Sequence, residues 1–210
     1  MKNIILLFLL LASSIIYTNA QEPVRFGIVG GGNVSTISSE GGKSKLGYHA
    51  GLKTEISLTD HFFIDGALLF TSKGFKVDYL NWEGFAEEFE GDLTLKGSLV
   101  NNYLELPVHA GAKIKIGDTN SFFISGGPYA AYSLHGKATI KGSKHKISEN
   151  IYKSGEGFRR FDFGVGLKAG FEFQKHVQLF ASYNWGLTNI AKDTKNFKNR
   201  NFSISCAYMF

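Results

Sequence analysis

One cysteine, three prolines and no second long apolar run mark what this 210-residue sequence has little of, and each shortage excludes something. The lone Cys206 cannot close an internal disulfide. The six histidines show no repeated ligand spacing, so neither a cysteine-stapled scaffold nor a zinc site has its donors. Beyond the first twenty residues no apolar stretch approaches the roughly 18 residues of a membrane helix. A membrane crossing would then have to be a closed β-barrel, the other structure that satisfies every backbone polar group in lipid. Charge of one sign is sparse as well. The formal net charge of +5 falls to +4 without Lys2 and is spread through the chain, too diffuse for a nucleic-acid partner.

What is present begins with a leader. Lys2 precedes the apolar run Ile4 to Leu11, and Thr18, Asn19 and Ala20 make a small-x-Ala end before Gln21. This is the layout of a secretory signal peptide, residues 1–20, and it leaves residues 21–210 as one domain. No Cys follows the cut, so a lipid anchor is not expected there.

The 25 glycines and 19 phenylalanines favour strands joined by tight turns, and alternation shows where the strands run. Leu104, Leu106, Val108, Ala110, Ala112 and Ile114 alternate with Tyr103, Glu105, His109, Gly111 and Lys113. Phe161 to Phe173 place an apolar residue at every odd position, with Asp162, Lys168 and Glu172 between. A period of two with one apolar face and one charged face is a strand between two different environments. The same pattern predicts strands over 24–32, 46–59, 62–79, 101–115, 121–140, 161–174, 177–185 and 201–210. Pro128 predicts a bulge or bend in the fifth. Eight strands, with short turns near 60–61, 117–120 and 175–176 and long loops near 34–45, 81–97, 141–157 and 192–200, predict an all-β, eight-stranded antiparallel up-and-down transmembrane β-barrel. Its short turns and both termini would face the periplasm. Tyr79, Trp82, Tyr132, Tyr152, Tyr183 and Trp185 are candidates for aromatic girdles.

Several strings then carry a resemblance: Tyr103-Leu104-Glu105-Leu106-Pro107 with Lys113, Phe70-Thr71-Ser72-Lys73-Gly74, Gly126-Gly127 ahead of Tyr129, Asp162-Phe163-Gly164 with Gly166, and the terminal Tyr208-Met209-Phe210. In these the chain resembles the PorT-like small outer-membrane β-barrel proteins over nearly all of its mature length. The resemblance implies location in the outer membrane of a Gram-negative bacterium and insertion through the C-terminal strand. It also implies a structural or interaction role, with one branch of the family serving secretion of proteins to the surface.

The register points Lys53, Glu55, Glu105, His109, Lys113, Asp162, Lys168 and Glu172 into the barrel. The mixture of signs reads as an ion-paired plug, with a proton or ion path as the rival. Ser133 and His135, two residues apart on one face, raise a lipid hydrolase of the Ser–His type, but no third orienting group can be placed. Gly30-Gly31-Gly32 and Gly164-x-Gly166 lack the Lys and Ser or Thr of a phosphate loop and read as room for bulky neighbours. No catalytic, cofactor-binding or metal residue is therefore assigned, and the chain is read as a non-enzyme. Residues 81–92, with Trp82, Phe85 and Phe89 among Glu83, Glu87, Glu88 and Glu90, predict a short amphipathic acidic helix. Lys141, Lys144, Lys146, Lys153, Arg159, Arg160, Lys192, Lys195, Lys198 and Arg200 make the later loops basic. The expected partners are outer-membrane lipids and lipopolysaccharide, and an envelope protein reached through these loops. A narrow channel, a lipid-modifying enzyme and a secreted lipocalin-like carrier are the alternatives.

Overall fold

The computed structural model describes residues 24–39, 42–78, 96–141, 146–152, 157–191 and 197–210. The predicted signal peptide, the predicted helix of 81–92, Tyr79 and Trp82 lie outside these residues. Nine strands are formed among the described residues: β1 (Val24–Ile37), β2 (Gly42–Ser57), β3 (Phe62–Asp78), β4 (Lys96–Ile116), β5 (Asn120–Lys141), β6 (Lys146–Asn150), β7 (Phe161–Phe173), β8 (Val177–Gly186) and β9 (Asn199–Met209). Eight of them form a closed meander, every neighbour antiparallel. β1 pairs with β9 and closes one seam, and β5 skips the short β6 to pair with β7. Strand β6 is an addition to the eight expected. It pairs with the outer end of β5, Lys137↔Asn150 to Lys141↔Lys146, and extends the sheet within the third long loop.

The strands form because each turns an apolar face to one side and a polar face to the other. Phe163, Val165, Leu167 and Phe171 are exposed on β7, whereas Asp162, Lys168 and Glu172 are buried. The same inversion holds on β4, with Leu104, Leu106 and Val108 outside and Tyr103, Glu105 and His109 inside. Apolar outside and charged inside is the pattern of a barrel in lipid, and it is the reverse of a lipocalin, so the carrier reading is overturned. From Leu104 to Ile114 the outward band of β4 spans about the 9 to 11 residues that a tilted strand needs to cross the hydrocarbon.

The short connections keep both termini at one end. Gln174 (φ 49°) and Lys175 (φ 62°) adopt left-handed backbone between β7 and β8, and Gly117 (φ 69°) does so between β4 and β5. Aromatic side chains border the outward band. Tyr48 lies 6.2 Å from Phe70, Tyr132 5.2 Å from Phe161 and Tyr183 4.5 Å from Trp185, by ring centroids, toward the long-loop end. Phe122 with Phe171 and Tyr208 with Phe210 border the other end. Tyr152 is not a girdle residue. Its hydroxyl accepts from Asn101 at 3.0 Å over the lumen, and Arg160 sits 4.2 Å from its ring centroid.

The irregularity expected at Pro128 occurs elsewhere. Pro128 stays in register with Val165 on β7. The bulge lies six residues on, where Asn102↔His135 and Tyr103↔Ser133 leave Leu134 as the extra residue of β5. One inserted residue reverses every later side chain. Ser133 is fully buried and His135 is exposed, so the two stand on opposite faces and the conceived Ser–His pair is not formed.

Candidate functional site

The lumen is filled along its length. Five cations face it among the described residues, Arg25, Lys53, Lys73, Lys113 and Lys168, with five carboxylates, Glu55, Asp65, Glu105, Asp162 and Glu172. The formal charges cancel, which is what burying ten ionisable groups requires.

Toward the short turns, Glu55 and Glu172 are held between Arg25 and Lys113. Lys113 Nζ lies 2.5 Å from Glu55 and 2.9 Å from Glu172, Arg25 lies 2.6 Å from Glu172, and Arg25 also pairs with Glu55. The fully buried Gln178 amide donates to Glu55 at 3.0 Å and to Glu172 at 2.6 Å, occupying lone pairs the cations leave open. One step inward, Asp65 joins Lys53 (3.2 Å) and Lys168. Phe180 carries both ammonium groups near its face, Lys53 at 5.5 Å and Lys168 at 5.3 Å.

Toward the long loops, Lys73 pairs with Glu105 at 2.7 Å and lies 4.8 Å from the Tyr129 ring centroid and 5.6 Å from that of Tyr103. Asn184 donates to Glu105 at 3.0 Å. Asp162 accepts from Asn199 at 2.8 Å and from the Tyr129 hydroxyl at 3.2 Å. Above them Ser133 donates to Asn101 at 3.2 Å, so its hydroxyl serves the network. Tyr152 lies outside the strands, and its burial pushes the phenol above its ordinary value.

A polar cavity of about 60 Å³ separates the two halves, bordered by His49, Lys53, Asp65, Thr71, Glu105, His109 and Lys168. It has room for a few water molecules. His49 meets Ser205 at 2.8 Å, whereas neither ring nitrogen of His109 finds a protein partner among the described residues. At the outer mouth the polar column ends in an apolar cap. Ile37, Phe75, Leu99 and Ile190 are buried together, with Val77, Ile151, Phe158 and Phe197 packed on them. The Phe75 and Phe197 rings meet edge to face at 5.2 Å.

All eight lumen residues expected from the alternation face inward. Arg25, Asp65, Lys73 and Gln178 were missed, although Asp65, Thr71 and Lys73 share one parity on β3 and so announce one face. The lumen glycines make room as expected. A Cβ on Gly164 would stand 2.6 Å from the Tyr129 ring, and one on Gly166 3.2 Å from His109 Nε2. No group of three or more His, Cys, Asp or Glu among the described residues has the arrangement of a metal site.

A closed eight-stranded antiparallel barrel with an apolar exterior and a charged, packed interior defines a small outer-membrane barrel protein. The family model described as outer membrane protein beta-barrel domain matches residues 19–192, and the chain belongs to that family. It is an outer-membrane protein. Among solved structures it is similar to Ail, the attachment invasion locus protein of Yersinia pestis, at 16% identity over 89% of this chain and 98% of that one, with a TM-score of 0.41. It is similar also to Neisserial surface protein A (14% identity, 90% and 100% covered, TM-score 0.45). OprG of Pseudomonas aeruginosa is a third (12% identity, 89% and 94% covered, TM-score 0.37). No curated protein matches the chain.

Proposed function

We propose that this barrel is a closed structural and interaction protein of the outer membrane, which works through its outer surface and loops and carries no solute. The observation behind this reading is the filled lumen: two layers of paired charges, balanced when taken together, around a cavity of about 60 Å³, with an apolar cap over the mouth. A hydrated ion would have to displace ion pairs and then cross a layer with no polar lining. Separation of Ser133 from His135 removes the one pair that supported a hydrolase, and supports the non-enzymatic reading. The partners proposed are outer-membrane lipids, lipopolysaccharide and an envelope protein.

Membership of the PorT-like branch, and with it an accessory role in protein secretion to the surface, is the finer form of this proposal. Its support is that the string carrying the resemblance builds the plug. Tyr103 and Glu105 point inward against Lys73, while Leu104 and Leu106 face lipid. The test is planar-bilayer recording of the purified full chain, with gentle extraction of the tagged protein from its own membrane in parallel. A flat current trace and a stoichiometric envelope partner are expected. Reproducible single-channel steps would overturn the closed reading, and a clean monomer would remove the accessory role.

A further inference from the structure

The strands continue well beyond the lipid-facing band at the long-loop end, and what they present there is lysine. Phe75 and Leu99 are buried in the apolar cap, so alternation turns Lys76 on β3 and Lys96 on β4 to the outer wall. Past the bulge at Leu134, Gly136 is buried against Asn101, which turns Lys137 and Lys141 of β5 outward as well. All four are exposed. They are neighbours by register: Lys96 stands opposite Lys141, Lys137 opposite Val100, and Lys76 opposite Ser98. Like charges directly opposite across a ladder cost stability, so the arrangement calls for an anion. Among the described residues of the neighbouring strands, Asp78 stands opposite Lys96 as the acid at this level, and Glu149 of β6 alternates to the other face.

Height decides which anion. Lys137 lies at the level of Val100, four residues beyond the Leu104–Tyr132 row, and Lys96 and Lys141 lie eight residues beyond it. At about 3.3 Å per residue and a tilt near 40°, these levels are about 10 Å and about 20 Å above that row, and the exposed Leu134 carries the apolar wall about 5 Å of that way. A phospholipid headgroup layer is only about 5 to 8 Å thick. It ends below the upper lysines. Because the four side chains point sideways from the barrel wall, what meets them is whatever surrounds the barrel laterally at that height, and a ligand descending onto the mouth would not. In the outer leaflet of a Gram-negative bacterium that is the sugar core of lipopolysaccharide.

We infer that Lys76, Lys96, Lys137 and Lys141 form a lateral docking surface for the phosphorylated core of lipopolysaccharide. Lysine suits this as a flexible point charge that follows phosphates at several heights without demanding one fixed geometry. The inference rests on the reading of the barrel as an interaction protein, and it names the partner and the wall.

The test uses the full chain refolded in zwitterionic detergent micelles and compared with the variant K76Q/K96Q/K137Q/K141Q, whose fold is checked by heat-modifiable gel mobility. Rough lipopolysaccharide carrying a phosphorylated core should bind the variant at least tenfold more weakly, and dephosphorylation of the core should remove the difference. Lipid A without core should bind both proteins alike. Equal binding of the phosphorylated lipopolysaccharide to both proteins overturns the inference. A loss of the lipid A interaction as large as the loss of the core interaction would overturn the assignment to the core. Destabilisation of the variant in micelles free of lipopolysaccharide would show that the lysines serve acids of the protein itself, and would also overturn it. Heparin fragments binding through the same lysines without competition by lipopolysaccharide would assign the wall to a soluble polyanion instead. Conductance of the same preparation tests the closed lumen separately, so either conclusion can fail alone.

Discussion

At the scale of single residues, the buried charges are held in place more by the cost of leaving one unpaired than by the attraction of each pair. Lys73 shows this, enclosed by Glu105 and the Tyr103 and Tyr129 rings. Glu105→Gln keeps the shape and removes the counter-charge, so the folded barrel should lose about 3 to 5 kcal/mol, measured by urea unfolding in phospholipid vesicles. The double change Lys73→Met with Glu105→Gln should lose less than the sum of the two single changes, by about 1 to 3 kcal/mol of coupling. Additive losses would mean that the two side chains act independently. A second test concerns space. Gly164→Val would drive a side chain against the Trp185 carbonyl oxygen and into the Tyr129 ring, and should cost at least about 1 to 3 kcal/mol. Tyr129→Leu in the same chain should return part of that loss, although it gives up the hydroxyl bond to Asp162.

At the scale of elements, register determines what each residue can do, and here the legible and the illegible separate. Alternation on β4 and β7 announced both faces, because a strand between lipid and a charged lumen must place opposite chemistry at successive positions. It could not announce the bulge at Leu134, since an inserted residue leaves no compositional mark and the one visible irregularity, Pro128, is accommodated in register with β7. The cap was equally hidden. Ile37, Phe75, Leu99 and Ile190 come from β1, β3, β4 and the β8–β9 connection, and they meet only when the barrel closes. Deleting Leu134 should therefore be tolerated, because Ser133 and His135 then follow one another opposite Tyr103 and Asn102, and Lys137 and Lys141 keep their outward face. One further residue inserted after Leu134 should instead act on a whole half-strand, turning Lys137 and Lys141 toward the cap and Gly136 and Ala138 outward. The folded fraction after refolding, read by gel mobility, should fall severalfold for the insertion and stay near that of the unmodified chain for the deletion. Equal yields for the insertion and the deletion would mean that residue count at the bulge does not set the register of the upper strand.

At the scale of the whole molecule, two independent closures lie in series along the axis, and they differ in what they contribute. The cap supplies apolar burial above the membrane, whereas the charge layers fill the section of barrel that crosses it. Ile37→Ala, Phe75→Ala and Leu99→Ala together should cost several kcal/mol through cavity formation, since single large-to-small core changes each cost about 2 to 5 kcal/mol. Conductance should nevertheless stay at baseline, because an ion entering through the opened mouth still meets Asp162 with Tyr129 and Asn199, and then Lys73 with Glu105. An eight-stranded wall leaves an interior that side chains fill, so removing the lid exposes packed polar groups and not a bore. The measurement is planar-bilayer current in concentrated KCl for the triple variant beside the unmodified protein. Steps that appear only in the variant would show that the cap is the sole barrier and that the ion-pair layers are permeable.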